Sequence, residues 1–398
     1  MPRNLVLCCD GTNNEFGPRN TNVVRLVQVL DRDSNLQRLY YDPGLGTLPE
    51  PGTWTSLGKT ISKIYGLAFG AGLAWKVGEA YTYLMNFWEP GDRVFIFGFS
   101  RGAYAARVLA GLLHQLGLLP RGNQNLVPYV IRLFKGVRSG DPGSRYWKLC
   151  GEFRRTFSRQ VPGSKEDRRF PVHFLGLWDT VSSVGWVWDP TSYPFTRHNP
   201  SVDVVRHAVS MDERRAFFRQ NLMEQDGPQD YQEVWFPGVH CDVGGGYPDT
   251  DEEGRLWRMP FEWVLNEAVN AGLLVNPRRL QEILPAPPPS TRPWTDRQHE
   301  SLTPAWWPAE FFPKLVWRPG ASIRLPYMNL GRRRVINDGA LIHKATLSRI
   351  RDMSYNPPNL SAEFLGRVRS LSDVPENLPY VKGDSSPGVP SRSSPRDL

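Results

Sequence analysis

Four residue groups in this sequence could do chemistry together. The first is Gly98-Phe99-Ser100-Arg101-Gly102, a serine with a glycine two residues away on each side, directly after the apolar run Arg93–Phe97. A serine hydroxyl is a weak nucleophile unless a base takes its proton. The chain has seven histidines, so the search for that base is short. His240 follows the run Gln232–Phe236 and precedes Gly244-Gly245-Gly246, whose lack of side chains suits close packing or a positive φ. Asp179 ends Val172–Trp178 and supplies the acid that would orient the imidazole. Together these types support acyl transfer: attack on an ester carbonyl, a covalent acyl-enzyme, then hydrolysis by water. The fourth group, Cys8-Cys9-Asp10-Gly11-Thr12, ends another apolar run.

Each candidate has a structural alternative. The glycine-flanked serine could be a tight turn, His240 a histidine bonded to backbone, and Asp179 or Asp10 a polar cap. His343, at the start of a helical pattern after Asn337-Asp338-Gly339, is the rival base. Asp242 is the rival acid, although a carboxylate two residues from the histidine reaches its ring less freely. His114, His173, His198, His207 and His299 have weaker contexts.

The elements that must position these residues read as alternating strands and helices. Asn4–Cys9, Leu36–Tyr41, Arg93–Phe97, Val172–Trp178 and Gln232–Phe236 are short apolar runs of the kind buried parallel strands use. Asn22–Asp31 is apolar at positions 23, 26, 27 and 30, the helical period. Ser56–Phe87, Ala103–Leu116 and Tyr146–Phe157 also read as helical. The alternation predicts an α/β fold: a mostly parallel sheet flanked by helices, with inserted helical and loop segments. Ser100, Asp179 and His240 then fall at the carboxyl ends of successive predicted strands, where such sheets place their sites. Ser100 occupies a strained strand-to-helix turn. The amides of Arg101 and of Gly11 or Thr12 are candidates for an oxyanion hole, and Asp10 for bracing the elbow.

The chain has 398 residues and a formal charge of +8. Its arginines are scattered, as in Arg154, Arg155 and Arg159 or Arg332 to Arg334, which suits a solvated surface or attraction to an anionic substrate or membrane. No zinc-finger spacing or arginine-rich helix marks a nucleic-acid reader. Cys8, Cys9, Cys150 and Cys241 form no CxxC pair, so neither a disulfide framework nor a zinc site is expected. The longest apolar stretch, Ile64–Trp75, is far shorter than the ~20 residues of a membrane span. With no signal pattern at the amino end, a cytoplasmic location is expected. Residues 1–382 read as one catalytic domain with a proline-rich loop at about 284–294. Residues 383–398 read as a disordered tail. Trp306 to Pro326 is rich in tryptophan and proline and carries no assignment.

The set CDGTNN, YYDPGLGT, GFSRGAYAAR, GLWDTVSSVG, HAVSMDERRAFF, WFPGVHCDVGGGY and IHKATLSRI, in that order from about Leu5 to Ile350, resembles one family. It is the catalytic-domain family of type VI secretion phospholipase effectors. The resemblance implies an α/β-hydrolase fold, Ser100 as nucleophile, His240 as base and Asp179 as acid. Asn13 stands where that family often has tryptophan, and Cys241 where it often has serine. It further implies an ester or phospholipid substrate. The basic charge suits peripheral membrane contact, and a hydrolytic serine needs no cofactor or metal. Oligomeric state is not encoded.

Two other readings compete. A metal-dependent phosphatase built on Asp10, Asp179 and Asp242 is one, although Cys8 stands where its nucleophilic aspartate belongs. A catalytically silent hydrolase fold that binds lipid or protein is the other.

Overall fold

The computed structural model describes residues 2–11, 17, 19–44, 69–136, 144–162, 169–181, 185–186, 189–190, 193–225, 227–248, 255–286, 292–311, 314–316 and 325–381. Thr12, residues 56–68, the middle of the proline-rich loop and the residues after 381 lie outside them.

In chain order the strands are β1 (Asn4–Cys9), β2 (Gln37–Asp42), β3 (Arg93–Phe99), β4 (Val172–Trp178), β5 (Gly185–Trp186), β6 (Asp189–Pro190), β7 (Val202–Ser210), β8 (Asp230–Phe236), β9 (Lys314–Val316), β10 (Leu325–Tyr327), β11 (Leu341–His343) and β12 (Asn377–Pro379). Eight of them form one sheet in the order β12-β11-β8-β7-β4-β3-β1-β2. Every pairing in it is parallel except β11 with β12. β5–β6 and β9–β10 are small antiparallel hairpins.

Side-chain alternation explains why helices cover both faces. Leu5 and Leu7 of β1, with Val94 and Ile96 of β3, point to a core closed by the helices Phe69–Phe87, Arg101–Leu116, Val127–Phe134 and Ser144–Phe157. Val6 and Cys8, with Phe95 and Phe97, point to the opposite core under the helices Asn22–Val29 and Arg258–Asn270. A third cluster packs Trp235 and Ile342 against the helices Lys344–Asp352 and Ala362–Arg369. Thr21 caps the Asn22–Val29 helix by accepting from the Val24 amide at 3.2 Å. Among the described residues, no helix is long and apolar enough to cross a membrane.

The five expected strands form, with ends shifted by at most two residues. One expectation is corrected. β7 lies between β4 and β8, so the strands leading to Asp179 and His240 are not neighbours. β7 hides from a search for apolar runs because Asp203, Arg206 and His207 interrupt it. Arg206 is nevertheless buried, held by Glu267 at 2.5 Å and Asp230 at 2.7 Å. His207 is buried against Glu233 at 2.8 Å. In the Trp306–Pro326 stretch, Trp307–Glu310 is a short helix and β9–β10 a hairpin.

The topology also fixes where a site can form. The chain runs from β1 outward to β2, then crosses to β3 on the other side of β1. The crevice outside the carboxyl ends of β1 and β3 is therefore the switch point of the sheet. Asp10 ends β1 there, and Ser100 follows β3.

Candidate active site

Ser100 sits at φ 59°, ψ −125°, between the end of β3 and the Arg101–Leu116 helix. A side chain in the left-handed region costs roughly 1–3 kcal/mol, so the surroundings must enforce it. They do so through the two glycines. A Cβ on Gly98 would lie 2.6 Å from the Ala103 Cα, and one on Gly102 would lie 2.2 Å from the Cys9 carbonyl oxygen. The Ser100 amide donates to the Trp178 carbonyl at 3.0 Å, which ties the turn to β4.

Asp179 follows β4, also at positive φ, 42°. Its amide donates to the Ala208 carbonyl of β7 at 2.7 Å, and its Oδ1 accepts from the Ser210 amide at 2.8 Å. The intervening strand thus carries the acid toward the histidine. His240 follows β8 and opens the short helix His240–Gly244. Its ring lies between Phe99, 4.6 Å away and near parallel, and Phe218, 4.8 Å away and edge-on.

These three side chains meet. His240 Nδ1 lies 2.5 Å from Asp179 Oδ2, and His240 Nε2 lies 2.8 Å from Ser100 Oγ. An ionised carboxylate only accepts, so Nδ1 carries the proton and Nε2 is left to accept from the serine hydroxyl. All three are buried, with Ser100 at 6% exposure. Burial, the largest influence, lowers the pKa of His240, and Asp179 opposes it without reversing it. Burial alone would raise Asp179. Arg334 and His240 outweigh it and hold the carboxyl well below its ordinary range. The arrangement can hold a neutral imidazole against a serine hydroxyl and stabilise the imidazolium once the proton moves.

Other expected residues fall into place differently. Asp10 is buried and accepts from its own neighbour Gly11 at 2.6 Å, from Thr21 Oγ1 at 2.8 Å and from Tyr41 at 3.0 Å. It braces the β1 loop, whose Cys9 and Asp10 carbonyls lie against Gly102. The Gly11 amide is thereby directed at a carboxylate and not at the space beside Ser100. Thr12 lies outside the described residues. Arg101 opens the helix directly after Ser100, and burial lowers its side-chain pKa to about 10. His343 caps the Lys344–Asp352 helix by accepting from the Ala345 amide and stacks on Phe236, 4.3 Å away. Asp242 turns away from the His240 ring: its carboxylate takes His299 Nδ1 at 2.6 Å and the Val239 amide at 2.9 Å. The carboxylates of Asp10, Asp179 and Asp242 thus serve separate protein partners.

Four further residues surround the site. Arg334 grips both oxygens of Asp179, at 2.5 and 3.0 Å. Glu213, buried, accepts from the His240 amide at 3.2 Å and from Arg215 at 2.9 Å. Arg215 lies over the Phe218 ring at 3.6 Å. Arg334 belongs to a run of three arginines that reads as surface, and no local pattern marks it as buried. Glu213, Arg215 and Phe218 fall within HAVSMDERRAFF, one of the motifs behind the family resemblance.

The family model described as the type VI secretion Tle1-like phospholipase effector catalytic domain matches residues 3–267, about two thirds of the chain. The chain belongs to this family. The Tle1-like match ends before the segments that carry His299 and Arg334. An uncharacterized protein of Saccharomyces cerevisiae is 39% identical over 227 residues, which cover 55% of this chain and 32% of that protein. The chain therefore spans about a third of the length of this curated relative. Two solved structures are similar at low identity. One is an uncharacterized protein from Pseudomonas aeruginosa, with TM-score 0.39 and 20% identity over 71% of this chain and 48% of that one. The other is a Tle1 effector bound to the VgrG spike of the type 6 secretion system, with TM-score 0.36 and 19% identity over 62% of this chain and 51% of that one.

Proposed function

We propose that this Tle1-like domain is a serine hydrolase that cleaves carboxylic esters, with acyl esters of lipids or phospholipids as its substrate class. The reading rests on one observation: the continuous hydrogen-bonded line Ser100–His240–Asp179, with the serine on a strained elbow. Ser100 Oγ attacks the ester carbonyl as His240 Nε2 takes its proton. Asp179 holds the Nδ1 proton and steadies the imidazolium. The amide of Arg101, at the helix start, is the first candidate oxyanion donor, and Thr12 is the β1-loop candidate for the second. The tetrahedral intermediate collapses, and the alcohol leaves with the proton returned by His240. Water, activated by the same imidazole, then frees the acid and restores Ser100. Family membership supplies the lipid-ester substrate class.

The test is turnover. Purified protein is expected to release fatty acid from phospholipid vesicles or simple acyl esters, and Ser100→Ala is expected to abolish it. Release that persists in Ser100→Ala would sink the reading.

A further inference from the structure

The Asp179 carboxylate does not serve His240 alone. The Arg334 guanidinium is buried, reaches Asp179 Oδ1 at 2.5 Å and Oδ2 at 3.0 Å, and is itself aligned by the Ser210 hydroxyl at 2.8 Å and the Phe218 carbonyl at 2.5 Å. Its Nε finds no partner among the described residues. The fork's two nitrogens are satisfied at the expense of the third, as expected if the carboxylate clamp is what fixes the side chain. Asp179 is held at φ 42°, a conformation its own backbone disfavours. The loop that delivers Arg334 lies outside the residues matched by the family model.

An acid that meets only an imidazole gives the imidazolium its full negative charge. An acid clamped by a guanidinium gives less, so the ring stays neutral to lower pH. Other charged groups also face His240. Glu213 favours the imidazolium and Arg215 opposes it, but these two pair with each other at 2.9 Å, so their effects offset. Among the described residues, the Asp179–Arg334 pair is the one whose loss changes the charge beside Nδ1.

We propose that Arg334 is a positioning residue of this site, locking Asp179 toward His240 and sharing its charge so that the ring remains an unprotonated base. The proposal rests on the hydrolase reading. It predicts that charge and geometry separate. Arg334→Met removes both, whereas Arg334→Lys keeps the charge and loses the bidentate fork.

The experiment uses the full chain and two readouts: the pH profile of p-nitrophenyl butyrate hydrolysis, and NMR titration of the His240 ring in a Ser100→Ala background. With folding checked by circular dichroism, Arg334→Met is expected to lower kcat by about 10- to 100-fold with little change in KM. Its acid limb and ring titration should move to higher pH. Arg334→Lys is expected to lose kcat but keep the limb near its original place. A folded Arg334→Met with limb and titration unmoved would overturn the proposal. Should Arg334→Met not fold, Arg334→Lys and Ser210→Ala decide, because each loosens the fork while keeping its charge; unchanged kcat in both overturns the proposal. A wild type without turnover would defeat the hydrolase reading, and the ring titration would still decide the role of Arg334.

Discussion

Gly244 and Phe99 are packed so closely that a Cβ on the glycine would lie 1.8 Å from the phenylalanine ring. The same ring stacks on His240 at 4.6 Å. The glycine run is thus part of the means by which the imidazole is placed. Gly244→Ala is expected to push Phe99 aside, at an overpacking cost of about 1–3 kcal/mol. Ester hydrolysis should fall by more than the loss of folded protein explains, because the displaced ring carries His240 with it. Thermal unfolding beside activity per folded molecule measures this. A variant with full activity and unchanged melting would show that the backbone gives way elsewhere.

Asp179→Asn tests the acid. The neutral amide cannot hold the Nδ1 proton as a carboxylate does, and kcat is expected to fall by roughly 10⁴-fold. The substitution also leaves the buried Arg334 without its anion, so stability should fall as well. Denaturant unfolding paired with initial rates separates the two effects. Asp242→Asn, which disturbs only the His299 contact and a helix cap, is expected to cost stability with a far smaller effect on rate.

Acidification should act on rate and stability in the same direction. His240 lies below the ordinary histidine value of about 6.5, mainly through burial. The acid limb of kcat/KM should therefore appear below that pH. In the window between its folded and unfolded values, the unfolded chain binds the proton that the folded chain refuses, so stability drops as pH falls below about 6.5. Asp179, with its folded value depressed, contributes stability that is complete above its unfolded value of about 3.9 and is lost as pH falls through the folded one. Glu213, pulled down to about 2 chiefly because Arg215 outweighs the effect of burial, behaves likewise. Melting temperatures from pH 8 down to about 2 beside a pH–rate profile check this, and an acid limb above about 6.5 would contradict it.

Cys241 adjoins His240 in sequence but should not compete with Ser100. Burial, the largest influence, pushes its thiol up to about 12. It stays protonated near neutral pH and is a poor nucleophile in that form. Iodoacetamide at pH 7 is expected to leave esterase activity intact, and Cys241→Ser to retain it. Rapid inactivation traced to a Cys241 adduct would reverse this view.

Local patterns carry much of the sheet: β1 and β4 have the ends that their apolar runs suggest, and Ser100, Asp179 and His240 follow the ends of their strands. β7 escaped because its polar residues are buried by partners distant in sequence, Glu267 for Arg206 and Glu233 for His207. β11 and β12 are three residues each, too short for a period to register. Arg334 could not be seen for the same reason as β7: its burial depends on a carboxylate 155 residues earlier. Sequence alone leaves the Gly11 amide available for an oxyanion, because nothing local shows that it donates to the Asp10 carboxylate beside it.

Everything proposed for this site depends on Ser100 being an activated nucleophile. The direct measurement is labelling of the purified protein with a fluorophosphonate probe, with the adduct located by peptide mass spectrometry in wild type, Ser100→Ala and His240→Ala. An adduct on Ser100 is expected in wild type, absent from Ser100→Ala and strongly reduced in His240→Ala. A folded wild-type protein that carries no adduct on Ser100 would contradict it.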